Sequence, residues 1–152
     1  YATKHKILPQ IQNRFRKGRN TTHNILYMEN DIQKSLNTKG EALAIFMDLL
    51  KAYDRLRIKG LLVKCARVGL RGKILSFIQS FLSIRTFQVR IENTESSTRT
   101  LQNGLPQGCI LSPFLFNLML HDIPTIPTVH SLLFADDYVM WKSGRNTKFL
   151  FD

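Results

Sequence analysis

Leu132-Leu133-Phe134-Ala135-Asp136-Asp137-Tyr138-Val139-Met140 sets two acidic side chains between two apolar runs. Each run is short, so the stretch reads as two strands joined by a tight turn. Upstream, the apolar run Ala44-Ile45-Phe46-Met47 ends on Asp48. A carboxylate in such surroundings costs desolvation free energy unless it is paired or bound to a metal. No lysine or arginine lies close in sequence to Asp136, so a divalent cation is the natural compensating charge, and oxygen-only ligands suit magnesium. Each feature alone also has a plain reading. Asp-Asp at a hairpin tip can be an ordinary turn, and Asp48 can cap a helix at a strand-to-helix junction. Together, two strands that each deliver Asp suit two-metal phosphoryl transfer, in which carboxylates hold two ions about 4 Å apart.

The charge distribution supports a polyanionic partner. The chain has 152 residues and a net charge of +11. Residues 1–75 hold 16 basic and 5 acidic side chains, and residues 76–152 hold 6 of each, so the whole excess lies in the first half. Its densest cluster is Arg14, Arg16, Lys17 and Arg19, interleaved with Phe15 and Gly18. Nucleic acid is the first candidate partner; no basic amphipathic helix accompanies the cluster, which argues against a membrane surface. A solvated loop is the plain reading of the same residues.

Other function classes fall away. With 43% hydrophobic residues the chain can build a core and is not a disordered polar segment. It has no run of about 18 apolar residues, so no membrane-spanning helix is expected. The first ten residues lack a signal-peptide core, so an intracellular protein, nuclear or cytoplasmic and not secreted, is expected. Cys65 and Cys109 are far apart and the four histidines do not cluster, so two buried free thiols are expected rather than a zinc site or a disulfide.

Periodicity places the remaining elements. Ile25, Met28, Ile32 and Leu36 recur at helical spacing after a Thr21-Thr22 cap, and Asn37 to Gly40 ends that helix. Ala42 to Met47 reads as a buried strand. Helices follow over Lys59 to Val68, stopped by Gly69, and over Lys73 to Leu82. Phe87, Val89 and Ile91 alternate as in a half-buried strand, which turns at 93–97 and returns over Thr98 to Leu101. Ser112-Pro113 opens a helix to about Asp122. Val129 to Phe134 and Tyr138 to Trp141 are the last strands. Helices mixed with antiparallel hairpins give an α+β class.

As a set, these segments resemble the reverse transcriptases. Ala44-Ile45-Phe46-Met47-Asp48-Leu49-Leu50-Lys51-Ala52-Tyr53-Asp54-Arg55 is similar to their first palm motif. Gly104-Leu105-Pro106-Gln107-Gly108-Cys109-Ile110-Leu111-Ser112-Pro113 is similar to their Pro-Gln-Gly motif, and Phe134-Ala135-Asp136-Asp137 to their Tyr/Phe-Ala-Asp-Asp box. Asn13 to Thr22 resembles the basic segment ahead of the palm in non-LTR retrotransposon enzymes, and the Leu-Ser-Pro continuation points to that branch, with jockey-type members among it. The order and spacing of four motifs, spanning nearly the whole chain, make the resemblance specific.

The resemblance implies a polymerase palm: an antiparallel sheet bearing the carboxylates, with helices packed on one face. Residues 1–40 would be the end of an incomplete fingers region and 41–152 the palm, with no thumb. With no initiator Met, the chain reads as a piece cut from something longer. Asp48 and Asp136 would hold two magnesium ions (manganese could substitute), with Asp137 in a supporting role. Tyr53 would block a ribose 2′-hydroxyl. Gln107 would lie near the incoming nucleotide, and Gly104 and Gly108 would let the backbone approach it. Arg14, Arg16, Lys17 and Arg19 would contact nucleic acid. Phe46 and Ala135 are expected to pack the core, and Asp54 to make a local hydrogen bond. The implied partners are an RNA template, a DNA primer and a deoxynucleoside triphosphate. Cys109 departs from the small residue, usually Ser, of most relatives. Without complete fingers and a thumb, the chain alone is expected to show little or no primer extension; the alternative function is that of a non-catalytic nucleic-acid-binding palm remnant.

Overall fold

The computed structural model describes residues 7–16 and 18–145, so Lys17 lies outside the described residues. The elements run α1 (Thr21–Asn37), β1 (Glu41–Asp48), α2 (Ala52–Arg55), α3 (Ile58–Arg67), α4 (Lys73–Leu82), β2 (Arg85–Phe87), β3 (Arg90–Ile91), β4 (Thr94–Glu95), β5 (Arg99–Leu101), α5 (Leu111–Met119), β6 (His130–Phe134) and β7 (Asp137–Gly144). The chain divides into two compact units. One runs to Leu50 and resumes at Asp122; the other is Lys51–His121.

The first unit is a three-stranded antiparallel sheet, ordered β1-β7-β6, with α1 against it. The segment Ile11–Asn13 adds a short parallel bridge to β6: the Asn13 N–H donates to Leu133 O at 2.9 Å and the Leu133 N–H to Ile11 O at 2.9 Å. Helix α1 is capped by Asn20, whose side chain accepts from the His23 N–H, rather than by the Thr21-Thr22 pair. Its orientation also differs from the apolar stripe. Ile25 and Leu36 are 60% and 51% exposed, whereas Ser35 is buried and Asn24, Met28, Asp31 and Ile32 are half-buried. Polar contacts set that rotation. Asp31 accepts hydrogen bonds from Trp141 Nε1 at 2.8 Å and Ser143 Oγ at 3.1 Å, and Asn24 accepts from the Asn13 side chain. Tyr27 packs edge-on to Trp141, which stacks on His130.

Strand β1 is an edge strand, not the buried one that its composition suggests. Phe46 is 73% exposed and packs no core, and Ile45 and Met47 are exposed as well.

The second unit follows its apolar periodicity in part, with Ile74 of the expected α4 stripe 57% exposed. Leu61 and Cys65 of α3, Ile78 and Leu82 of α4, and Leu115, Phe116 and Leu118 of α5 are buried. Burial pushes the Cys65 thiol up to about 11, as expected of an inert core thiol; Cys109, by contrast, is only half-buried. The expected half-buried strand is instead two short exposed ones: β2 pairs with β5, and β3 pairs with β4 across a tight turn. Too few residues pair in either ribbon to give it a buried face. Ser112 does not cap α5; its hydroxyl donates to Pro106 O and ties the loop to the helix.

Candidate active site

Register brings two of the three singled-out carboxylates together. Asp48 ends β1 directly opposite Asp137, which opens β7, and Asp137 faces Phe134 of β6 on its other side. Strand alternation places Asp48, Phe46, Asp137, Val139, Trp141 and Phe134 on one face. That is also the face on which α1 docks, through Asp31 to Trp141 and Ser143, toward the far end of the sheet. Asp136 is the second residue of the two-residue turn between β6 and β7 and is half-buried.

Asp48 and Asp137 are exposed. Burial therefore does not demand a counter-charge there, contrary to the expectation from their apolar neighbours. What remains is their placement directly opposite each other on paired strands. Side chains directly opposite on antiparallel strands have Cβ atoms about 4.5–5.5 Å apart, and like charges so placed destabilise the pair. Among the described residues no group of three His, Cys, Asp or Glu side chains is already gathered as a metal cage. The facing carboxylates nevertheless fit a divalent cation by chemistry, since they offer hard oxygen donors from directly opposed positions on two paired strands.

The turn itself is unusual. Ala135 has φ +59°, a left-handed conformation that costs a non-glycine residue roughly 1–2 kcal/mol. Two-residue hairpins favour such turns because they match strand twist. Gln12 holds this one. Its Nε2 donates to Ala135 O at 3.1 Å, and its Oε1 accepts from the Ala135 N–H at 3.1 Å and from the Arg14 N–H at 3.0 Å. Gln12 is 0% exposed. Sequence reasoning missed it, because a lone Gln ahead of a basic loop carries no periodic or compositional signal.

The basic segment is partly structural. Arg16 Nη1 donates to Pro9 O at 3.1 Å and to Gln12 O at 3.3 Å. Arg19 Nη1 donates to Gln10 O at 2.8 Å and to Asn13 Oδ1 at 2.7 Å. Burial, and then the charge of Arg19, hold the Arg16 guanidinium below its ordinary value. Arg14 lies over the rings of Phe15 and Phe134, 5.2 and 5.1 Å from their centroids. Together with Asn20 and Thr21 at the start of α1, these residues line a cleft of about 360 Å³ that reaches Phe134 of the hairpin. The expected contact at Lys17 lies outside the described residues.

The remaining singled-out residues sit in the second unit. Tyr53, on α2, stacks on Phe116 with ring centroids 4.7 Å apart. Gln107 is exposed and donates to Asp54 Oδ1 at 3.1 Å, so the local bond expected of Asp54 is present. Gly108 is exposed with φ +79°, a backbone shape that favours glycine. Gly104 meets the chain closely. It is buried, and a Cβ there would lie 2.7 Å from Asp54 O, while its N–H donates to Leu56 O at 2.8 Å.

Comparison with known proteins settles the class. A solved structure of apo telomerase from Candida tropicalis superposes on 97% of this chain and 29% of its own, with TM-score 0.64 and 16% identity. The fold is thus a palm-like α+β arrangement of antiparallel sheets with helices. A family model described as reverse transcriptase (RNA-dependent DNA polymerase) matches residues 2–148. The chain belongs to the reverse transcriptase family. A probable RNA-directed DNA polymerase from transposon BS of Drosophila melanogaster is 30% identical over 128 residues, 84% of this chain and 14% of that protein. The RNA-directed DNA polymerase from mobile element jockey of the same species is 32% identical over 120 residues, 79% of this chain and 13% of that protein. The chain therefore spans about one seventh of the length of the curated relatives it matches. Reverse transcriptases generally use divalent metals. No helix among the described residues is long and apolar enough to cross a membrane.

Proposed function

We propose that this chain is the palm-bearing part of an RNA-directed DNA polymerase of a jockey-like non-LTR mobile element. Within the complete polymerase, and not on its own, it serves to extend a DNA primer on an RNA template from deoxynucleoside triphosphates, inside the cell, in the nucleus or cytoplasm. The observation that carries this reading is the β1–β7 register, which sets Asp48 against Asp137 beside the Asp136 turn.

Asp48, Asp136 and Asp137 are the residues that would hold magnesium, with manganese as substitute. Bound there, such ions would supply activation of the primer 3′-hydroxyl and charge stabilisation on the leaving pyrophosphate. The chain's own contribution is geometry. The hairpin and β1 present carboxylates on the exposed end of one sheet face, where a primer end can reach them. The cleft beside Phe134 suits nucleic-acid phosphate, since Arg14 and the start of the 17-residue helix α1 both favour an anion. Tyr53, braced by Phe116, acts as the wall against a 2′-hydroxyl, because rejecting one hydroxyl needs steric exclusion. Gln107 and Gly108 contact the incoming nucleotide.

The test is RNA-templated primer extension by the complete polymerase. Asp48→Asn and Asp136→Asn should each reduce extension to background while RNA binding stays at the wild-type level. Wild-type extension by both variants would overturn the proposal.

A further inference from the structure

We infer that Gln12 is a positioning residue: its side-chain amide locks the left-handed turn at Ala135 and so fixes where Asp136 and Asp137 stand relative to Asp48. The inference rests on the reading of these carboxylates as a metal site.

A left-handed φ at Ala135 is unfavourable for any residue with a Cβ, so the turn needs outside support to persist. Gln12 supplies it from 123 positions away in sequence, bonding both the N–H and the carbonyl of Ala135. Its amide orientation is unambiguous. One end meets two N–H groups and the other meets a carbonyl, which only Oε1 and Nε2 respectively can satisfy. Gln12 is itself over-determined: Arg16 holds its carbonyl, its N–H donates to Pro9 O, and the bridges of Ile11 and Asn13 to Leu133 fix the backbone on either side. The residue after Ala135 is Asp136, and the next is Asp137. Turning the Ala135 peptides would therefore re-aim both carboxylates while leaving β1 and Asp48 in place. A group that orients metal ligands in this way typically changes metal affinity by about 10–100-fold.

The test uses the 152-residue chain and Mn2+ as probe, with affinity read by electron paramagnetic resonance. Gln12→Met, nearly isosteric but without an amide, should weaken binding about 10–100-fold. Ala135→Gly makes the left-handed turn free of strain, so alone it should leave affinity near wild type. Added to Gln12→Met, it should recover most of the loss. Unchanged affinity in Gln12→Met would overturn the inference, as would a loss of the same size whether or not Ala135→Gly accompanies it. The second result would mean that Gln12 acts only as core filling. Should Gln12→Met fail to fold, amide exchange on the wild-type chain decides: protection at Ala135 supports the clamp and free exchange overturns it. Mn2+ binding insensitive to Asp48→Asn and Asp136→Asn would defeat the carboxylate reading instead. The clamp would then be judged without metal, by whether Gln12→Met and Ala135→Gly affect thermal stability non-additively, as the clamp requires, or additively, which would overturn it.

Discussion

The two units of this chain are held together by different means. In Lys51–His121, the buried side chains are almost all apolar: Leu56, Leu61, Cys65, Leu70, Ile78, Leu82, Leu105, Leu115, Phe116 and Leu118, with Ser112 and Asn117 as the polar exceptions. In the unit that carries the carboxylates, the buried set is Ile7, Leu133 and Trp141 beside Gln12, Asn13 and Ser35. There, hydrogen bonds made by Arg16, Arg19 and Gln12, and accepted by Asp31, take over much of the organising that side-chain packing does elsewhere. Apolar packing is non-directional and tolerates adjustment, whereas a hydrogen bond fixes a distance and an angle. A scaffold that must aim carboxylates gains from the second kind.

That contrast can be broken by mutation. The largest effect is expected on activity, where Asp48→Asn or Asp136→Asn should leave no extension. On stability, Leu61→Ala should cost about 2–5 kcal/mol, because the site is fully buried among apolar neighbours. Urea unfolding followed by circular dichroism would measure it. The matching truncation Ile32→Ala in half-buried α1 should cost roughly half as much or less. Equal costs would show that the first unit relies on packing too. Trp141→Phe keeps a ring but removes the donor to Asp31, and should cost about 1–3 kcal/mol. Asn20→Ala, which removes the α1 cap, should cost about 1 kcal/mol. The smallest effect is chemical: an alkylating reagent at about pH 8 should modify half-buried Cys109 well before Cys65, whose thiol burial pushes up to about 11. Equal labelling would contradict the buried core of α3.

The same contrast explains what can be read from the residues. Helix α4, Lys73–Leu82, matches its periodic prediction at both ends, and Ile78 and Leu82 are buried as its spacing implies. Helix α1 is legible as an element, and Met28 and Ile32 of its apolar stripe are half-buried as that stripe suggests, but Ile25 and Leu36 are not. Asn24, Asp31 and Ser35 turn it away from Ile25 and Leu36, and no periodicity of apolar residues encodes a bond from Trp141 to Asp31. The Asp48 and Asp136-Asp137 positions are legible because acidic residues between apolar runs are rare. Their surroundings are not legible: Asp48 and Asp137 stand exposed and directly opposite one another, rather than buried as their apolar neighbours suggest. The Phe87–Ile91 alternation misleads because two- and three-residue strands have no sheet to bury against. Gln12 is invisible because its partner lies across the chain.

The most direct test of the central claim is paramagnetic broadening of amide NMR signals when substoichiometric Mn2+ is added to the 152-residue chain. Selective loss of the signals around Asp48 and from Ala135 to Tyr138, abolished by Asp48→Asn, is the predicted result. Broadening centred elsewhere, or unchanged by Asp48→Asn, would contradict the assignment of these three carboxylates as the metal site.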